Sequence, residues 1–457
     1  MVRLDVNGLI RDWTQRHQQR LANFAPVSVF GRITGISGIL LESSLPGARI
    51  GDLCRIEGKN NRRVLAEVVG FNPQHTLLSA LGQLDGIAQG ARVTPLYQPH
   101  SIRVSTQLLG SVLDGFGRAV EQGGISAFAE PEEGYRDGIK PVLGDAPPPT
   151  ERPRIDTPLP TGMRAIDGLL TLGVGQRVGI FAGAGCGKTT LLAELARNTP
   201  CDVIIFGLIG ERGRELREFL DHELDSELRS RTVLLCATSD RSSMERARAA
   251  FTATAIAEAF RDEGKSVLLI LDSLTRFARA QREIGLALGE PPGRGGLPPS
   301  VYTLLPTLLE RAGQTATGAI TALYSVLIEQ DSMNDPVADE VRSLIDGHIV
   351  LTRKLAERGH YPAIDVLASL SRTMSSVVAR QQVSEATDVR RLMAAWQQVE
   401  MLIRLGEYQP GNDSLTDAAV QAQDAINGYL QQPMRDPSSF DLTCSQLAEV
   451  SRHAPPR

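Results

Sequence analysis

Cysteine is scarce in this sequence and shows no sign of pairing. Only five cysteines occur among 457 residues, they are widely spread, and none belongs to a Cys-x-x-Cys pair. This usage is typical of reduced thiols in the cytosol, rather than of a disulfide framework or a zinc site. The sequence therefore excludes a small scaffold held together by disulfides. The five are Cys54, Cys186, Cys201, Cys236 and Cys444.

Long apolar runs and an excess of positive charge are also missing. The longest apolar runs, residues 267–271 and 319–328, fall far short of the roughly 20 residues that cross a bilayer. The first residues do not have the pattern of a secretory signal. The formal net charge is −5, which gives no general positive field for a nucleic-acid backbone. We therefore expect a cytoplasmic protein with at most peripheral membrane contact and no nucleic-acid partner.

Four segments follow one another along the chain. Residues 1–24 are loosely amphipathic and either dock on a partner or cover the protein's own domain. Short β-rich runs between Gly, Pro and Asn breaks predict a β-barrel domain over residues 25–104. Residues 105–375 include an extended proline-rich connection at 146–160, after which strand-like and helix-like runs alternate, as in an α/β domain with a parallel sheet. An apolar stripe with helical spacing predicts a C-terminal α-helical domain over residues 376–457.

A glycine-rich turn between an apolar strand and a helix is the strongest single feature. Residues 177–192 read Arg-Val-Gly-Ile-Phe-Ala-Gly-Ala-Gly-Cys-Gly-Lys-Thr-Thr-Leu-Leu, which is a P-loop in its required context. Its glycines let backbone amides point at phosphate oxygens, and the following helix presents the positive end of its dipole. We expect Lys188 to hold the β and γ phosphates of ATP, and Thr189 to bind Mg²⁺. The predicted nucleotide-binding residues are Ala182, Gly183, Ala184, Gly185, Cys186, Gly187, Lys188, Thr189 and Thr190.

Two carboxylates, Glu211 and Asp272, stand at the carboxyl ends of later strands. Ligands of an open parallel sheet bind at this edge. Glu211 stands in Phe-Gly-Leu-Ile-Gly-Glu-Arg-Gly-Arg-Glu, residues 206–215, and is the candidate for orienting the attacking water. Arg212 is close enough in sequence to contact the γ phosphate. Residues 266–276 form a Walker B pattern, in which Asp272 ends an apolar strand. Asp272 is expected to fix the metal through its water shell.

Beyond these motifs, the sequence resembles the catalytic subunits of rotary ATPases, and most closely the ATPases of type III secretion, over nearly its whole length. Runs at 45–54, 182–189 and 404–411 are nearer to the virulence-type injectisome ATPases than to the flagellar ones. The runs that carry the wider resemblance are residues 207–215, 271–280, 298–302, 308–313, 339–351 and 359–367.

The resemblance implies a RecA-like P-loop NTPase core between the barrel and the helical domain. It further implies that Arg372, in Ser-Leu-Ser-Arg-Thr-Met, is an arginine finger reaching into a neighbour's nucleotide site, and that Tyr361 stacks on adenine. Such fingers raise rates by on the order of 10³ to 10⁵. Because one chain carries both the finger and Glu211, identical copies make complete sites, which points to a homohexamer.

The resemblance also implies partners at an inner-membrane export gate. These are a central stalk protein, a peripheral regulator of the ATPase, and substrate–chaperone complexes that the motor releases and unfolds. The loop of residues 331–335 is expected to face the ring's centre and touch the stalk. Gln330 and Ser332 depart from the family pattern there, as Gly295, Gly296 and Leu297 do before Pro298.

Other functions share parts of this pattern. A flagellar export ATPase has the same organisation, and an ATP synthase catalytic subunit shares the chemistry but assembles with noncatalytic partners. An RNA-translocating hexameric motor would need a basic, aromatic barrel surface, which residues 25–104 lack in sequence. A nucleotide-binding scaffold without activity is disfavoured because every expected catalytic group is present.

Overall fold

The chain divides into two units, each with its own hydrophobic core. The first comprises the described parts of residues 1–101 and 129–139, and the second those of residues 102–128 and 140–457. The computed structural model describes residues 13–14, 17, 29–59, 62–131, 138–328 and 335–456. No helix among these residues is long and apolar enough to span a membrane. The domain boundaries at residues 24, 104 and 375 stay predictions of the sequence.

Antiparallel strands close the first unit into a barrel with the order β1-β2-β5-β4-β3-β6, in which β6 pairs back onto β1. Along β1, buried Gly31 and Ile33 alternate with exposed Arg32, which is the period-two pattern of a strand with one face on the core. The predicted N-terminal β-barrel is thereby confirmed. The strands are β1 (Gly31–Ser37), β2 (Leu40–Ser43), β3 (Asp52–Glu57), β4 (Arg63–Phe71), β5 (Thr76–Ala80) and β6 (Arg92–Pro99).

The second unit is built on a sheet with the strand order β19-β18-β12-β17-β15-β13-β14-β8, with β16 paired to β17. Its central pairs are parallel, and only β16 and β19 run antiparallel to their partners. The remaining strands of the chain are β7 (Ser101–Arg103), β8 (Val112–Leu113), β9 (Ile139–Pro141), β10 (Pro158–Leu159), β11 (Leu172–Gly173), β12 (Arg177–Ala182), β13 (Val203–Ile209), β14 (Thr232–Ala237), β15 (Ser266–Asp272), β16 (Gly313–Gln314), β17 (Ala319–Leu327), β18 (Gly347–Leu351) and β19 (Ile364–Ser371).

Helices accompany these strands and continue as the C-terminal domain. Strand β13 is buried along its whole length, as expected for a parallel strand covered on both faces. The α-helices are α1 (Arg164–Leu169), α2 (Lys188–Asn198), α3 (Gly213–Glu218), α4 (Ser226–Ser230), α5 (Ser243–Asp262), α6 (Leu274–Ala287), α7 (Pro299–Leu309), α8 (Pro336–Leu344), α9 (Arg353–Glu357), α10 (Met374–Val377), α11 (Arg380–Arg404), α12 (Ser414–Leu430) and α13 (Phe440–Ser451).

The proline-rich connection of residues 146–160 contains no α-helix. It holds a 3₁₀ turn at Pro149–Glu151 and ends in the short strand β10. Arg311, which is 1% exposed, anchors the chain just before it: its guanidinium donates to the Val142 carbonyl at 2.8 Å and pairs with buried Glu258 at 2.6 Å. This pair ties the connection to α5.

The predicted helical domain is confirmed as α11, α12 and α13, which pack on one another and on α1. The apolar stripe of α11 turns Val389 and Leu392 fully inward. Arg164 at the start of α1 donates from Nε to the carbonyl of Tyr429 at the end of α12, 2.8 Å away. The side chain of Gln432 accepts from the Arg164 amide at 2.9 Å and donates to the Gly162 carbonyl at 2.7 Å. The segment that follows α12 is therefore fixed to the α/β core.

Candidate nucleotide site

The P-loop connects β12 to α2 at the carboxyl edge of the parallel strands. Gly185 and Gly187 have φ values of +81° and +80°, which glycine adopts readily and residues with a Cβ do not. Gly187 caps α2, and its carbonyl accepts from the Leu191 amide at 3.0 Å. The turn thus leads directly into a helix N-terminus, the arrangement that binds phosphate through backbone amides.

Lys188 and Asp272 meet above the ends of β12 and β15. The Lys188 ammonium contacts Oδ1 of Asp272, and the same oxygen accepts from the hydroxyl of Ser325 at 2.5 Å. Asp272 is 2% exposed, so the ammonium compensates a buried carboxylate. The peptide bond between Asp272 and Ser273 is cis.

Glu211 lies just beyond the end of β13, and its environment favours the protonated form. Burial, and secondarily the negative charge of Asp272, raise the pKa of Glu211 to about 7, against the smaller opposing effects of Lys188 and Arg276. A carboxyl group with a pKa near neutrality can exchange a proton at the working pH. The side chain is therefore suited to act as a general base.

Arg276 rather than Arg212 lies against Glu211. Its Nη2 is 3.7 Å from Oε2 of Glu211. Gly210, with φ at +68°, leaves room for the Arg276 side chain, whereas a Cβ at this position would come within 3.1 Å of it. Arg212 is 77% exposed and pairs with Glu215 at 3.4 Å. The structure thus does not bring Arg212 together with the other predicted site residues.

A cavity of about 190 Å³ lies beside the P-loop. Tyr361 forms one wall: it is 48% exposed, and its ring lies next to Gly187. The segment after α12 forms another part of the lining and lies next to Tyr361, because the Gln432 amide donates to the Tyr361 carbonyl at 3.0 Å. A largely apolar lining that includes the aromatic ring of Tyr361 suits a nucleobase. The lining residues are Met163, Cys186, Gly187, Thr190, Leu191, Glu194, Leu351, Tyr361, Pro362, Ala363, Gln432, Pro433 and Met434.

Arg372 lies at the opposite edge of the sheet from the P-loop. It follows β19, whose last residue Ser371 pairs with Gly347 at the start of β18, and Gly347 pairs in turn with Val178 near the start of β12. From Val178 to Gly183 the strand runs for about 17 Å at roughly 3.3 Å per residue. The exposed side chain is therefore too far away to serve its own subunit's nucleotide.

The loops that depart from the family pattern are only partly described. Residues 329–334, which include Gln330, Ser332 and most of the expected stalk-facing loop, lie outside the described residues. Asp335 caps α8 by accepting from the Val337 amide at 2.9 Å. Gly295 has φ at +64°, and a Cβ there would come within 2.4 Å of Pro336, so a bulkier residue would displace the start of α8.

The donors present fit a nucleotide with Mg²⁺. Thr189 is exposed in the first turn of α2, and a hydroxyl and a carboxylate are the hard oxygen ligands that Mg²⁺ prefers, directly or through water. The P-loop amides and Lys188 supply the matching positive charge for phosphate oxygens.

Three functional groups were missed by the sequence analysis. Ser325 is a polar residue in the largely apolar run of β17, Arg276 stands four residues after Asp272, and residues 432–434 sit in the helical domain, far in sequence from every motif. The first two carried a weak signal, a polar side chain near the carboxyl edge. The third had none, because its place in the pocket depends on how α12 packs.

Comparison with known proteins agrees with this fold and site. Residues 162–371 match the nucleotide-binding domain of the ATP synthase alpha/beta family, and residues 33–96 match its β-barrel domain. The two matches and the P-loop define a P-loop ATPase of the ATP synthase alpha/beta class. Residues 378–449 match the C-terminal domain of the type III secretion ATPase EscN.

Similar chains narrow the class to one family. The type 3 secretion system ATPase of Pseudomonas syringae pv. tomato is 63% identical over 98% of this chain and 100% of its own, whereas the flagellum-specific ATP synthase of Treponema pallidum is 44% identical over 95% and 96%. The chain belongs to the type 3 secretion system ATPases and is an ATP-hydrolysing enzyme.

Solved structures give the same result. The assembled ATPase EscN of enteropathogenic E. coli has a TM-score of 0.85 and 46% identity, over 92% of this chain and 100% of its own. EscN in complex with its central stalk EscO has a TM-score of 0.83 and 45% identity, with the same coverage.

Proposed function

We propose that this chain is the ATPase motor of a type III secretion injectisome and hydrolyses ATP between adjacent subunits of a homohexamer. The observation that supports a shared site is the position of Arg372. It lies on the edge of the sheet opposite the P-loop, so its guanidinium can reach a γ phosphate only in a neighbouring subunit. The arginine then neutralises charge on the transferring phosphoryl group.

In the proposed reaction, Glu211 accepts a proton from the attacking water. The water oxygen bonds to the γ phosphorus as the bond between that phosphorus and the bridging oxygen to the β phosphate breaks, which gives ADP and phosphate. Lys188 and the P-loop amides hold the β and γ phosphates in line. The ring of Tyr361 stacks on adenine. Arg212 remains a proposed γ-phosphate contact, for which its side chain must leave Glu215.

Thr189 and Asp272 are the proposed holders of Mg²⁺. The hydroxyl of Thr189 would bind the metal directly, and the Asp272 carboxylate would accept hydrogen bonds from its water ligands. When bound, Mg²⁺ neutralises negative charge on the phosphates and fixes their orientation. Closure of the site around ATP would be passed to the helical domain through Gln432, because that residue contacts both Tyr361 and Arg164.

The proposed setting is the cytoplasmic face of the inner membrane, at the export gate. Membership of the secretion family and the relative solved with its central stalk support a stalk partner here. A peripheral regulator and substrate–chaperone complexes are the further proposed partners. Hydrolysis would release chaperones and unfold the exported proteins. The closer match to type 3 secretion than to flagellar relatives supports the injectisome over the flagellum.

Hydrolysis measured against protein concentration, with sizing of the same samples, tests the shared site. Specific activity is expected to rise as hexamers form. Arg372→Ala should lower it by on the order of 10³ while assembly and nucleotide binding persist. Arg404→Ala is the matched control, since it removes an arginine at the end of α11 that is 59% exposed and paired with Glu400. Full activity in a stable monomer, or in Arg372→Ala, would contradict the proposal.

A further inference from the structure

A buried hydroxyl connects the two oppositely charged groups of the nucleotide site. Ser325 lies in β17, paired with Ile180 of β12, and is completely buried. Its Oγ donates to Oδ1 of Asp272 at 2.5 Å and lies 3.4 Å from the ammonium of Lys188. A hydroxyl has one proton and two lone pairs, so Ser325 donates to the carboxylate and accepts from the ammonium.

This arrangement matters because Lys188 has two competing tasks. In the structure the ammonium pairs with Asp272, and phosphate binding requires it to turn toward the β and γ oxygens. A buried carboxylate that loses a paired cation is strongly destabilised. Ser325 does not have to move when Lys188 does, and its hydroxyl can keep Oδ1 satisfied throughout.

We propose that Ser325 is a positioning residue that holds Asp272 in place while Lys188 transfers from the carboxylate to the phosphates. The Ser325 hydroxyl lowers the penalty of separating Lys188 from Asp272 and fixes the rotamer in which the carboxylate faces the metal's water shell. The inference rests on the proposed nucleotide site and adds to it a residue that has no contact with the nucleotide.

The experiment compares the full-length Ser325→Ala and Ser325→Thr proteins with wild type. Binding of a fluorescent ATP analogue is measured with EDTA present, and hydrolysis is measured across a Mg²⁺ titration. A hydrogen bond to a charged group corresponds to roughly a 10- to 100-fold effect. We therefore expect Ser325→Ala to weaken binding by about tenfold and to raise both KM and the Mg²⁺ needed for half-maximal rate, with a smaller change in kcat. Ser325→Thr, which keeps the hydroxyl, should recover most of the binding.

Thr321→Val is the matched control for a merely structural role. Thr321 is also buried in β17, at the end away from the P-loop, where its hydroxyl accepts from the Gly175 amide at 2.8 Å. Its loss is expected to lower the unfolding temperature but to leave analogue binding and the Mg²⁺ dependence unchanged. Equal effects of Ser325→Ala and Thr321→Val on binding would overturn the inference, as would wild-type binding in Ser325→Ala.

Lys188→Ala separates this inference from the proposed function. If Lys188→Ala binds and hydrolyses ATP normally, the nucleotide site itself is wrongly assigned. If Lys188→Ala is inactive while Ser325→Ala behaves as wild type, the site stands and only the role of Ser325 is refuted.

Discussion

At the scale of single residues, Glu211 connects structure to rate most directly. Its pKa of about 7 comes from burial and from the charge of Asp272, and a base acts only when ionised. We predict that kcat/KM falls as the pH drops below about 7 and that Glu211→Gln abolishes turnover at every pH. Stopped assays from pH 5 to 9 would measure both, with the Lys188→Ala preparation as the blank for contaminating ATPases.

The control for this profile is Glu218→Gln, which removes a carboxylate that is 53% exposed and paired with Arg214. Its pH dependence should match that of wild type. Normal turnover by Glu211→Gln would remove Glu211 from the mechanism.

The same raised pKa predicts an effect on stability with a definite sign. The pKa of Glu211 lies above its ordinary 4.5, so the folded state is favoured by protonation, and this contribution is lost as the pH rises from 4.5 to about 7. At pH 8, Glu211→Gln should therefore be more stable than wild type by about 1 kcal/mol, a figure reduced for partial solvent screening. The gain should shrink at pH 5, as measured by thermal unfolding without nucleotide. A loss of stability at pH 8 would contradict it.

Sequence reasoning located the groups that belong to one continuous motif but not those brought in from other strands. Lys188 stands in the P-loop motif at the start of α2, and Asp272 ends strand β15. Ser325 and Arg276 reach the site because β17 lies between β12 and β15 and because Gly210 leaves room for a guanidinium. Neither condition is visible in a local pattern, since the pairing of strands depends on the whole sheet.

At the scale of elements, α1 joins the α/β core to the helical domain through a close approach at Gly168. A Cβ at this position would come within 1.9 Å of the Tyr429 hydroxyl and 3.1 Å of its Cζ. Gly168→Ala should therefore force α12 away from α1 and destabilise the fold by about 2 kcal/mol, the usual range for overpacking. Urea unfolding would measure the loss. Adding Tyr429→Phe should relieve part of it, so that the two changes are not additive.

The matched control is Gly428→Ala, on the exposed side of the same helix α12. A Cβ there meets nothing within 4 Å, and alanine is favoured over glycine in a helix by up to about 1 kcal/mol. This variant should be unchanged or slightly stabilised. Equal destabilisation of both alanine variants would show that the contact with Tyr429 is not the cause.

The elements themselves were predictable where a pattern extends over several residues. The helical stripe of α11 and the continuous apolar runs of β13 and β15 are examples. The two-residue strands β8, β10, β11 and β16 were not predictable, since they are too short for any periodicity. The packing partner of the α11 stripe was also hidden, because α1 is separated from it by more than 200 residues of sequence.

At the scale of the whole molecule, the direction of β19 determines where the proposed finger Arg372 lies. Family resemblance supplied the proposed role of Arg372, and the antiparallel pairing of β19 with β18 places this residue away from the P-loop of its own subunit. A guanidinium stabilises the charge that develops in the transition state of phosphoryl transfer when it lies within hydrogen-bond distance of the phosphoryl oxygens. A neighbouring copy is the simplest source, and repetition of the same contact around a closed ring gives the proposed homohexamer.

This geometry predicts complementation between two inactive variants. Lys188→Ala keeps a finger but loses its P-loop lysine, while Arg372→Ala keeps the lysine but loses the finger. When both are mixed, dissociated and reassembled, some interfaces pair an intact P-loop with an intact finger, so the mixture should hydrolyse ATP although neither protein does alone. Activity should rise and fall with the mixing ratio and be greatest near equal amounts.

An inactive mixture, in assemblies shown by labelling to contain both variants, would mean that each site needs its own subunit's arginine or that one dead site stops the whole ring. Mixing wild type with Lys188→Ala distinguishes these, because a ring stopped by one dead site loses activity faster than in proportion to the added variant.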